Sequence, residues 1–107
     1  IFPTKNISLT GTIQADCLTI APLLADRFVD LMILDPPYNL TKNFHGFKFS
    51  RRAVAEYSDW LDRVIATLKP LLKPTASVYI CGDWWSSASI FAVASEHFIV
   101  RNRITWE

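Results

Sequence analysis

The residues best placed for chemistry are Asp35, Pro36, Pro37 and Tyr38, which follow the apolar run Leu31, Met32, Ile33 and Leu34. That run is too brief for a typical helix and is stopped by two prolines, so it predicts a strand buried on both faces. Asp35 stands where the strand ends. In an open α/β sheet, ligands bind outside the carboxyl ends of the strands, which is where such a residue projects. Each proline holds its φ at about −65° and lacks an N–H, and together they force Asp35 and Pro36 into extended backbone. The result is a stiff corner offering a carboxylate, one or more unclaimed carbonyl acceptors and the ring of Tyr38. It suits a ligand that carries N–H donors and a flat face. The plainer reading of the same tetrad is a strand-ending turn whose Asp35 caps backbone N–H groups.

The elements that must carry this corner follow in order. Residues 7–15 alternate Ile7, Leu9 and Ile13 against polar neighbours, with a turn at Gly11, and predict a first strand. Asp16, Cys17 and Leu18 lie at its carboxyl end. A short helix over 21–25, with Pro22 in its first turn, leads to the strand that ends at Asp35. Strand, acid, helix, strand, acid is the rhythm of a parallel βαβ sheet, and the fold class is α/β. Over 53–69 the residues Tyr57, Trp60, Leu61, Val64, Ile65 and Leu68 recur at helical spacing, with Glu56, Asp59, Asp62 and Arg63 largely outside the stripe. This predicts a packing helix without chemistry, stopped by Pro70 and Pro74. Residues 77–81 predict the next strand through Val78, Tyr79 and Ile80.

Gly82, Asp83, Trp84 and Trp85 close that strand. If it neighbours the strand ending at Asp35, these residues border the same site and a tryptophan can wall it. The favoured reading of Asp83 is the cap of a helix over 86–96, and the tryptophans can equally pack on that helix. A final strand over 98–106 alternates Phe98, Val100, Ile104 and Trp106 against Arg101, Arg103 and Thr105.

Composition narrows the class. The chain has 107 residues, half of them apolar, and a net charge of +1, so it holds one globular unit at most. The even balance hides a local excess: Lys42, Lys48, Arg51 and Arg52 lie between residues 39 and 52 with no acid among them. Phe44, Phe47 and Phe49 are interleaved with them, around His45 and Gly46. Positive charge attracts phosphates and aromatic faces stack on unpaired bases, so this stretch suits a loop that closes over an extruded nucleotide. His45 reads as a phosphate or surface group, and the three phenylalanines can equally pack beneath the loop. Cys17 and Cys81 have no pair spacing and are read as two reduced cysteines, and no metal site is expected. No apolar run approaches the ~20 residues of a membrane span.

Asp35-Pro36-Pro37-Tyr38, with the apolar strand before it and Asn39 after it, resembles the catalytic motif of S-adenosylmethionine-dependent amino-methyltransferases that act on adenine N6 or cytosine N4 in DNA. In the order of its elements, residues 15–107 are similar to the N-terminal half of the permuted, beta-class enzymes, whose catalytic motif precedes the cofactor motif. The resemblance implies a Rossmann-like methyltransferase sheet that is incomplete in this chain, with 1–107 as the N-terminal part of the catalytic domain. A target-recognition region and a Phe-x-Gly-x-Gly cofactor segment would follow, and Gly11, Gly46 and Gly82 do not have that spacing. The chain is therefore expected to be a fragment, inactive alone. An empty slot in its sheet would leave buried backbone groups unpaired at ~1–3 kcal/mol each.

The resemblance also implies the ligands. S-adenosylmethionine is the cofactor, its adenine amino group donating to Asp16 while the backbone N–H groups at Cys17 and Leu18 offer a donor to a ring nitrogen. Asp16 as a helix cap is the plainer reading, and the two are compatible. Catalytic roles fall to Asp35, Pro36, Pro37 and Tyr38, and DNA contacts to Lys42, His45, Lys48, Arg51 and Arg52. The partner is double-stranded DNA with its target base flipped out, in a cytoplasmic protein. A homodimer and a cognate restriction endonuclease are left open. Asp at the first motif position favours adenine N6. The alternatives are cytosine N4 methylation and a non-catalytic DNA- or nucleotide-binding module, with methylation of RNA or a protein amide behind them.

Overall fold

The computed structural model describes residues 10–37 and 51–106, the side chains of 51–53 excepted. Five elements follow in chain order: α1 (Cys17–Ile20), β1 (Val29–Leu34), α2 (Arg51–Leu68), β2 (Leu72–Ile80) and α3 (Ser87–His97). Asp16 starts α1, its Oδ1 accepting the Leu18 N–H at 2.9 Å. A 3₁₀ turn over Ala21–Leu23 continues α1, with Pro22 where its missing N–H costs nothing. The helix expected over 21–25 thus begins earlier, because the cap lies at Asp16. Residues 10–15 form no strand, so the strand expected over 7–15 is not present in its described part; residues 7–9 lie outside the described residues.

β1 and β2 pair in parallel, and α2 is the crossover between them. Leu31 pairs with Ser77, Met32 with Val78, Ile33 with Tyr79 and Leu34 with Ile80. Upstream the ladder is interrupted: Val29 to Leu31 advances two residues while Leu72 to Ser77 advances five. Pro74, expected to lie outside any strand, falls within this irregularity, where a residue without an N–H breaks no rung. β2 therefore begins five residues before the expected 77.

One face of this pair is covered. Tyr57, Leu61, Ile65 and Val93 form one buried cluster, against which Leu34, Ile80, Ile90 and Phe98 pack. Ala21, Val64, Leu68 and Leu71 form a second, flanked by Leu18, Phe28, Val29 and Met32. The stripe read from the sequence of α2 is the side it buries, and His97 of α3 reaches Asp62 of α2 at 2.6 Å. Among the described residues nothing packs over the opposite sheet face. Leu31 is 53 % exposed, Ile33 65 % and Tyr79 51 %, which corrects the expectation of a strand buried on both faces. The physical reason is that α2 supplies a layer on one side and none of the described elements supplies the other.

The strand expected over 98–106 is also absent, and Ile99, Ile104 and Trp106 stand exposed. Its alternating pattern finds no neighbouring strand among the described residues, and without a ladder the pattern alone does not make a strand.

Candidate active site

The carboxyl ends of β1 and β2 meet at one edge. The Cys81 N–H donates to the Leu34 carbonyl at 2.8 Å, the last rung of the ladder, so Asp35 is the first residue beyond it. Pro36 and Pro37 continue in non-regular backbone, with Asp35 and Pro37 exposed and Pro36 half-buried. Among the described residues Asp35 enters no hydrogen bond or ion pair. The N–H groups that a turn-capping Asp35 would accept, those of Tyr38 and Asn39, lie outside the described residues.

Across the edge, the residues after β2 form a fixed corner. Asp83 Oδ1 accepts the Ser86 N–H at 2.9 Å and the Ser86 hydroxyl at 2.7 Å. Ser86 is buried, and its Oγ lies 3.2 Å from the Asp83 N–H. The spacing Asp83-x-x-Ser86 closes the turn from which α3 rises, and the Ile90 N–H bonds to the Ser86 carbonyl at 3.0 Å. Asp83 thus acts as the expected cap, one step removed: Ser86 is the residue flanking the helix, and Asp83 holds Ser86. A Cβ on Gly82 would fall on Ile90 Cδ1, so this glycine lets the chain pass close over α3. Trp84 and Trp85 stand on the corner, 71 % and 48 % exposed.

Tyr57, read from the sequence as packing alone, belongs to the same neighbourhood. Burial, with a smaller contribution from the Asp83 carboxylate, pushes its hydroxyl up to about 12. Within an apolar stripe nothing in the sequence singled it out; its link to Asp83 exists only once α2 lies under the sheet. The folded-state value exceeds the unfolded value of ~10, so the neutral phenol contributes stability that is whole below about pH 10 and is lost as pH rises towards about 12. That shift corresponds to about 2–3 kcal/mol. Tyr57→Phe should remove this alkaline loss, checked by urea unfolding of both proteins at pH 9 to 12. A wild type no more alkali-sensitive than the variant would refute it.

Asp16, Cys17 and Leu18 lie on α1 and its cap. One Asp16 oxygen is committed to Leu18, and its Oδ2 has no partner among the described residues. Burial first, and the Asp16 charge second, push the Cys17 thiol up, so it is a neutral packing group. Tyr38, Asn39, Lys42, His45 and Lys48, with the side chains of Arg51 and Arg52, lie outside the described residues. The stretch that carries them leaves from Pro37 and rejoins the fold at the first turn of α2. Among the described residues no three His, Cys, Asp or Glu side chains gather as metal ligands, and no helix is long and apolar enough to cross a membrane.

Comparison with known proteins bears on what this edge does. The chain is 33% identical over 94 residues to the DNA adenine methyltransferase YhdJ of Escherichia coli, covering 88% of this chain and 32% of that protein. It is 32% identical over 78 residues to the Type II methyltransferase M.BglII of Bacillus subtilis, covering 73% of this chain and 20% of that protein. The Type II methyltransferase M.BamHI of Bacillus amyloliquefaciens is 32% identical over 67 residues, 63% of this chain and 16% of its own length. The chain thus spans about a third or less of the length of each of these relatives. The family profile described as a DNA methylase, of the N6/N4 type, matches residues 29–107, from the first residue of β1 to the last of the chain. By that match, which takes in Asp35 and the corner facing it, the chain belongs to the N6/N4 DNA methyltransferase family.

Proposed function

We propose that the full-length protein transfers a methyl group from S-adenosylmethionine to the exocyclic N6 of an adenine flipped out of DNA, as the methylating partner of a restriction-modification pair. The observation that carries the reading is the exposed Asp35, unpartnered among the described residues, at the shared carboxyl edge of two parallel strands in a chain of this family. In this reading residues 1–107 are the N-terminal part of a Rossmann-like catalytic domain, and β1 and β2 are neighbouring strands of its sheet.

The amine of adenine is a poor nucleophile because its lone pair is delocalised into the ring. The Asp35 carboxylate and the Pro36 carbonyl accept its two N–H groups, hold the nitrogen out of conjugation and turn the lone pair outward. The Asp35 charge also offsets the positive charge that develops on nitrogen, until the methylated amine releases its extra proton to water after the transfer. S-adenosylmethionine, when bound, supplies a methyl group on a sulfonium as the electrophile. The donor set of α1 fits its adenine: Asp16 Oδ2 is open to an amino group, and with the Leu18 N–H committed to the cap, the Cys17 N–H is the donor for a ring nitrogen.

A base inside a duplex is out of reach of this corner, so it must be extruded, with Tyr38 stacked on its face and Lys42, His45, Lys48, Arg51 and Arg52 along the phosphates. Tyr38→Ala in the full-length protein should weaken the flipped-base complex by about tenfold, with Tyr38→Phe milder, measured with 2-aminopurine at the target position. An Ala variant of wild-type affinity would argue against stacking.

The deciding experiment incubates the full-length protein with unmethylated DNA and S-adenosylmethionine and identifies the product nucleoside by mass. N6-methyladenine is expected. N4-methylcytosine would move the target to cytosine, which the family also includes, and no methylated base would leave a non-catalytic binding module.

A further inference from the structure

We propose that Trp84 is a wedge for DNA, inserting its indole into the base stack at the gap that an extruded nucleotide leaves behind; this rests on the DNA-methylating reading above. Trp84 lies three residues beyond Cys81, whose N–H makes the last rung before Asp35, so it belongs to the turn that leaves the same edge. Its indole is 71 % exposed among the described residues, an aromatic face available for stacking.

Its backbone is nevertheless held. The Asp83 and Ser86 bonds close the turn around it, and the Ser87 hydroxyl donates to the Trp84 carbonyl at 2.9 Å. The Trp85 ring meets it edge to face, with centroids 4.9 Å apart at 80°, a favourable aromatic geometry that restrains both rings. A rigid, exposed indole enters a stack with little ordering cost.

Charge selects nucleic acid over an apolar protein partner. The stretch from residue 39 to 52 leaves from Pro37 beside Asp35, and its Lys42, Lys48, Arg51 and Arg52 are accompanied by no acid. Phosphate-neutralising cations and an exposed aromatic face in one chain are the combination that single bases and opened duplexes demand. Extrusion costs stacking energy, and a side chain that fills the vacated step returns part of it.

The test uses the full-length protein and two probes, a mixed-sequence duplex and the same duplex with one abasic site that imitates the gap. The wild type should prefer the abasic duplex by about tenfold, the size of one lost stacking contact. Trp84→Ala should abolish the preference and Trp84→Phe retain part of it. In neither variant should the salt dependence of binding or the affinity for S-adenosylhomocysteine change, because the indole neutralises no phosphate and is assigned no contact with that ligand. A Trp84→Ala protein that keeps the preference overturns the wedge, as does one that loses S-adenosylhomocysteine, which would put the indole at the cofactor. If the wild type binds neither duplex, the DNA reading falls with it; if the wild type methylates DNA and Trp84→Ala keeps its preference for the gap, the wedge alone falls.

Discussion

Asp35→Ala in the full-length protein is expected to lower methyl transfer by about 10²–10³-fold or more while leaving duplex affinity and folding stability nearly unchanged, since a charge-stabilising contact made at the reacting atom has that scale. The separation follows from where the residue stands. Asp35 is exposed, follows the last rung of the ladder and has no partner among the described residues, so its removal leaves no buried group unsatisfied. Exposed substitutions of this kind change stability by about 0.5 kcal/mol or less. In the proposed chemistry the carboxylate both accepts a hydrogen bond from the amine N–H and offsets the charge arising on nitrogen. Asp35→Asn keeps a carbonyl acceptor and loses the charge, so its activity should lie between wild type and Ala, and the gap between the two variants measures the acceptor alone. Single-turnover rates with labelled S-adenosylmethionine, alongside duplex binding and urea unfolding, distinguish these effects. Near-normal turnover by the Ala variant would remove Asp35 from the chemistry.

The parts of this structure that were legible in the sequence are those fixed by local rules. The stripe of α2 was readable because Tyr57, Trp60, Leu61, Val64, Ile65 and Leu68 recur at helical spacing over about three turns, and all but the half-buried Trp60 are found buried. The end of β1 was readable because two prolines stop the chain there. Asp83 as a cap was readable from its chemistry, although the bonds to Ser86 show that it acts on the turn before the helix. What failed depended on neighbours. Alternation in residues 98–106 marks two faces, yet a strand needs a second strand to bond to. Leu31 and Ile33 are apolar enough to be covered, but an apolar run states a capacity for burial and not which layer supplies it. Pro74 reads as a stop from the sequence because the break in register around it has no sequence signature. Of the candidate site, the strand corner at Asp35 was readable in advance, whereas its alignment with the corner at Asp83 follows from the pairing of Leu34 with Ile80.

The same dependence on one covering layer makes Leu61 the side chain whose loss should cost most. It is fully buried at the centre of α2, in the cluster that also holds Tyr57, Ile65 and Val93 and receives Leu34 and Ile80 from the sheet. Leu61→Ala removes its transfer energy and opens a cavity between helix and sheet, at about 2–5 kcal/mol. Typical domains have only about 5–15 kcal/mol in reserve, so this is a large share. Urea unfolding of the full-length protein should show a lower midpoint at an unchanged slope, because the surface exposed on unfolding is the same. Leu23→Ala, at a side chain 66 % exposed, is the matched control and should cost about 0.5 kcal/mol or less. Equal midpoints for the two variants would mean that α2 does not hold the sheet as described. Because Tyr57 lies one turn before Leu61 on the same face, with the Asp83 carboxylate near its hydroxyl, loosening the helix should also reduce the alkaline sensitivity assigned to Tyr57, in proportion to the stability lost.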